Sequence, residues 1–112
     1  MTTAEDRLAE VRENYHYAIV AYETRFDDAT ADQKKRLRQA YDDAEAAYND
    51  AISDGLEQNS AEIEAAYQSL VSANDATRDS LKQLEAVGKV LNKLEKAIKL
   101  ATKLVGLVAL VA

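Results

Sequence analysis

Glu13 and His16 stand three residues apart, a spacing that puts a carboxylate and an imidazole on one face of a helix. Di-iron carboxylate bundles use this Glu-x-x-His pattern to ligate metal, but a complete centre needs a second such pair and two further glutamates. His16 is the only histidine, so a symmetric dimer would have to supply the rest, and Glu13 points away from the apolar stripe of its helix. A solvated pair is the expectation, with no metal.

The run Lys34-Lys35-Arg36-Leu37-Arg38 has the density of a nucleic-acid or targeting patch. It sits in a chain of net charge −6, beside Asp32, Asp42 and Asp43, with Arg38 four residues before Asp42. That arrangement reads as a paired, solvated helix face, and no nucleic acid is expected as partner. The acidic pairs Asp27-Asp28 and Asp42-Asp43 lack the spacing and the turn glycine of an EF-hand. No phosphate-binding glycine loop, nucleophile elbow or Ser/His/Asp arrangement occurs. The chain has no cysteine, which excludes disulfides, thiolate metal sites and thiol nucleophiles. The expectation is therefore a non-enzymatic protein with no cofactor and no small-molecule substrate.

The elements that carry these residues read as helices throughout. The 112 residues include no proline and only three glycines, Gly55, Gly88 and Gly106, and good helix formers abound. Helix 1 is predicted over about 3–27, with capping-box spacing at Thr2 and Glu5. Leu8, Val11, Tyr15, Ala18, Ile19, Tyr22 and Phe26 form its apolar stripe, spaced by threes, fours and neighbours. Tyr17, Val20 and Ala21 lie opposite, so this helix is either covered on two sides or carries a small exposed patch. Helix 2 is predicted over about 31–54, opened by Thr30 and Gln33 and closed by Gly55. Its stripe is Leu37, Ala40, Tyr41, Ala44, Ala47, Tyr48, Ala51 and Ile52, where alanines allow close approach and the phenol hydroxyls reach the rim.

A C-terminal helix over about 60–111 follows, capped by Asn59 or Ser60. Ile63, Leu70, Thr77, Leu84, Leu91, Ile98 and Val105 repeat every seven residues, with Ala66, Ala73, Ser80, Val87, Leu94, Ala101 and Val108 three further on. Because the phase survives the polar stretch 72–80, an unbroken helix is the favoured reading; a break near 74–80 is the alternative. Unbroken, the helix would be about 80 Å long, and its C-terminal half would need a partner. Broken, it would fold back into a four-helix bundle. The fold class in either case is all-α, an antiparallel bundle of three or four helices in one domain.

This last helix carries the most pointed question. Lys82, Lys89, Lys93, Lys96, Lys99 and Lys103 stand opposite its apolar stripe, but Leu107, Leu110 and Val111 fall on the face the lysines occupied. Residues 1–79 carry 18 acidic and 8 basic side chains, whereas residues 80–112 carry these six lysines against Glu85 and Glu95. The apolar end is too short to span a bilayer, which needs about 20 apolar residues. It must be covered by its own bundle, another protomer, a client protein or lipid. The expected interaction surface is Leu84, Val87, Leu91, Leu94, Ile98, Val105, Leu107, Val108, Leu110 and Val111. Lys89, Lys93, Lys96, Lys99 and Lys103 are the expected contacts to an anionic surface. The expected partners are a homo-oligomer or a protein client, with a membrane surface as the second candidate. The polar first ten residues lack the apolar core of a cleaved secretory signal, so the cytoplasm is the default expectation.

Overall fold

The computed structural model describes residues 2–111, apart from the side chain of Val111. They form four α-helices: α1 (Ala4–Arg25), α2 (Ala31–Asp54), α3 (Ala61–Lys82) and α4 (Val87–Val111). The first three begin at capping side chains, each typically contributing about 1 kcal/mol. Thr3 Oγ1 accepts from the Asp6 N–H at 3.1 Å while Asp6 Oδ2 accepts from the Thr3 N–H at 3.0 Å. The first capping box is thus Thr3 with Asp6, one residue later than the Thr2 and Glu5 spacing predicts. Thr30 and Gln33 cap α2 reciprocally as expected, at 3.0 and 3.2 Å. Ser60 Oγ accepts from the Ile63 N–H at 3.2 Å to open α3.

The long C-terminal helix is broken, and the break is at 83–86, not at 74–80. Two hydrogen bonds close α3: the Glu85 N–H donates to the Ser80 carbonyl at 3.1 Å and the Leu84 N–H to the Leu81 carbonyl at 3.2 Å. This is a Schellman cap, with Leu84 holding the left-handed position at φ 53° where glycine is usual. A left-handed non-glycine residue costs roughly 1–2 kcal/mol. Folding α4 back buries Val90, Leu91, Leu94, Leu104 and Val108 to 2% exposure or less. At about 1.5–3 kcal/mol for each such side chain, burial outweighs the strain of one residue several-fold.

Contacts run around the bundle in the order α1, α2, α4, α3, with α1 and α4 also touching across a diagonal; among the described residues α2 and α3 do not meet. Consecutive helices are antiparallel, while α1 and α3 run together, in register through Thr2 with Glu64 and Glu10 with Asn74. Alanines line the interior: Ala18 and Ala21 on α1, Ala40, Ala44, Ala47 and Ala51 on α2, and Ala97 and Ala101 on α4 are all buried. Helix α1 is covered on two sides, since Ala21 is fully buried and Tyr17 and Val20 are half-buried. Ile52, assigned by its spacing to the α2 stripe, instead stays 53% exposed.

The core has two apolar clusters, one around Val11, Leu56, Ile63, Leu70 and Leu104, the other around Leu37, Val90, Leu91 and Leu94. Along the chain, buried Asn14 separates the two clusters on α1, and Asn74 and Thr77 continue the buried face of α3 beyond Leu70. Asn74 Nδ2 donates to the Glu10 carbonyl at 2.9 Å and Thr77 Oγ1 to the Ala73 carbonyl at 2.9 Å. At the far end, buried Arg7 pins the α2–α3 connection. Its Nε donates to the Leu56 carbonyl at 3.0 Å and its Nη1 to the Thr2 carbonyl at 2.9 Å. Leu56 therefore keeps a left-handed φ of 52° while filling the core.

Candidate interaction surface

The fold divides the predicted interaction residues into two sets. Val87, Leu91, Leu94, Ile98, Val105 and Val108 are buried inside the chain's own bundle and are not a free seam. The heptad pattern placed them on one face correctly; the partner helices are α1, α2 and α3 of the same chain. Leu84 is 77% exposed and Leu110 85% exposed, whereas Leu107 is half-buried against the core. The Val111 side chain lies outside the described residues.

With the stripe used internally, α4 presents Lys89, Asn92, Lys96, Lys99 and Lys103 outward, then Gly106, Ala109 and Leu110. Lys93 alone of the α4 lysines has an ion-pair partner among the described residues, Glu85 Oε1 at 2.8 Å. That contact holds the Glu85 carboxyl below the usual carboxylate range. Between α2 and α4 runs a groove of about 560 Å³ with a floor of Ala46, Ala47, Val105, Gly106 and Ala109, bordered by Asp50 and Lys99.

Three of the four cations of the basic run on α2 contact neighbouring side chains, while Lys35 is exposed. Arg36 Nη2 and Nε meet Glu95 at 2.6 and 3.1 Å, and Nη2 also reaches Asn92 at 3.0 Å. Lys34 Nζ and Arg38 Cζ lie 5.0 and 5.2 Å from the Phe26 ring centroid, in cation–π range. Glu13 is half-buried and His16 exposed, and no three His, Asp or Glu side chains gather as metal ligands among the described residues. No described helix is long and apolar enough to cross a membrane.

Sequence reasoning passed over one surface. Between α1 and α2 the rings of Tyr48, Tyr15, Tyr41, Tyr22 and Phe26 follow one another at 5.5, 5.8, 5.6 and 5.1 Å between centroids. All five are half-buried, so the ladder is both packing and surface. The Tyr15 hydroxyl donates to Glu45 Oε2 at 2.9 Å, with the Tyr41 hydroxyl 3.4 Å away. The Tyr41 contact, burial and the Glu45 carboxylate together push the Tyr15 phenol well above its usual value. The signal was present in the seven-residue spacing of Tyr15 with Tyr22 and of Tyr41 with Tyr48, which stacks each pair on one helix face. Two grooves flank the ladder. One, of about 670 Å³, lies beside Tyr15 and Tyr48 with Ala9, Glu13 and Ile19; the other, of about 420 Å³, lies beside Tyr22 and Tyr41 with Glu23, Arg38 and Asp42.

Comparison with protein-family models, with curated proteins and with solved structures found no match to this chain.

Proposed function

We propose that the protein is a non-enzymatic interaction module that acts through self-association or by docking its C-terminal helix on a protein partner. The contact is the outward face of α4 rather than its apolar stripe. The observation that carries this reading is the exposed column Lys89, Lys96, Lys99 and Lys103, which has no carboxylate within ion-pair range among the described residues and runs on to exposed Leu110. A basic column ending in an apolar contact suits an acidic protein surface with one hydrophobic anchor, because charge steers the encounter and the anchor slows release. Sedimentation of the wild type and of a Lys96→Ala/Lys99→Ala/Lys103→Ala variant tests it. Association that grows with concentration, weakens with salt and is lost in the variant is the expected result. Equal association of the two proteins would remove α4 from the contact.

A second reading, in which the same face lies on an anionic membrane, is favoured by the position of Leu110 beyond the last lysine. Co-sedimentation with phosphatidylserine-containing vesicles at low salt tests it; protein left in the supernatant would count against it.

A further inference from the structure

Resting on that reading, we propose that the acceptor for α4 is the tyrosine ladder of a second copy of this chain. The lysines and the grooves share a register. Lys96 and Lys103 are seven residues apart on α4, as are Tyr41 and Tyr48 on α2, a rise of about 10.5 Å in each case. Each groove pairs tyrosine rings with a carboxylate: Tyr48 and Tyr15 with Glu13, Tyr41 and Tyr22 with Asp42. An ammonium group is attracted both by an aromatic face and by a neighbouring carboxylate. The chain already uses this chemistry at the Phe26 end of the ladder, where Lys34 and Arg38 sit over the ring. No such cation–π contact covers Tyr15 or Tyr48 at the other end among the described residues, although Arg12 and His16 border the groove there.

Charge favours the same pairing. The ladder lies in the part of the chain with 18 acidic and 8 basic side chains, and the lysines in the part with six lysines and two glutamates. Donor and acceptor cannot meet within one molecule. In the order α1, α2, α4, α3, the α1–α2 groove and the outward side of α4 face different directions. The contact is therefore head to tail, and an open assembly keeps one free donor at one end and one free acceptor at the other.

Two variants separate these roles. Lys96→Ala/Lys103→Ala removes the donor, and Ala9→Arg/Glu13→Lys blocks the acceptor at an exposed and a half-buried position of α1; unchanged circular dichroism and melting confirm that both fold. Each variant alone is expected to sediment as a monomer at concentrations where the wild type associates. An equimolar mixture is expected to form a one-to-one heterodimer and to grow no further. If the donor variant loses association while the acceptor variant keeps it, α4 docks elsewhere; the ladder is then overturned as acceptor and the role of α4 stands. A mixture that stays monomeric, or a wild type that never associates, overturns the inference as well.

Discussion

The backbone N–H of Glu85 donates to the carbonyl of Ser80 at 3.1 Å, and together with the bond from the Leu84 N–H to the Leu81 carbonyl it ends α3 and lets α4 fold back. Leu84, between them, takes the left-handed conformation with its side chain 77% exposed. Leu84→Gly should therefore leave the fold intact and raise stability by up to about 1 kcal/mol, since relief of backbone strain exceeds glycine's greater unfolded-state entropy. A continuous heptad helix makes the opposite forecast, a loss of about 2–5 kcal/mol for deleting a buried leucine. A urea titration distinguishes the two by the direction in which the midpoint moves.

That turn also marks where the sequence was readable and where it was not. Helix 2 lies where Thr30, Gln33 and Gly55 put it, because caps with side-chain hydrogen bonds and a left-handed glycine are local signals. The break at 83–86 has no proline and no glycine at the left-handed position, and a leucine there looks like a core residue. Heptad phase also failed to reveal it. Ile63, Leu70 and Thr77 before the turn and Leu91, Ile98 and Val105 after it are all buried, so each helix keeps its own inward face. The lysine column was legible from spacing alone. The tyrosine ladder was legible only as a core stripe, because its groove depends on how α1 and α2 pack.

Glu64 should give a measurable pH signature. Its carboxylate accepts from the Thr2 hydroxyl at 2.7 Å, from Asn59 Nδ2 at 2.8 Å and from the Thr2 N–H at 2.8 Å, which lower its pKa from 4.5 to about 2. A depressed folded-state pKa contributes stability that is complete above the unfolded value and disappears as pH falls through the folded one. The melting temperature of the wild type should exceed that of Glu64→Gln at neutral pH, and the gap should narrow between about pH 4.5 and pH 2. A constant gap over that window would mean that the Thr2 latch does not discriminate the ionised form.

Asn14 is fully buried, and neither its Nδ2 nor its Oδ1 has a hydrogen-bond partner among the described residues. An unsatisfied buried amide costs roughly 1–3 kcal/mol, and leucine has a similar volume. Asn14→Leu is expected to stabilise the fold by an amount in that range, read by chemical denaturation. A destabilised variant would show that the amide is satisfied in solution.

Truncation after Lys103 tests most directly whether α4 covers its own apolar end. The deletion removes Leu104, Val105 and Val108, which are 0%, 6% and 2% exposed and pack with Leu56, Ile63 and Leu70. At about 1.5–3 kcal/mol for each buried side chain, the loss is comparable with the total stability of a small domain. Melting followed by circular dichroism at a concentration where the intact protein is monomeric should show a large fall in Tm or an unfolded chain. An unchanged Tm, with assembly lost at higher concentration, would place those residues in a seam between protomers and contradict burial within one bundle.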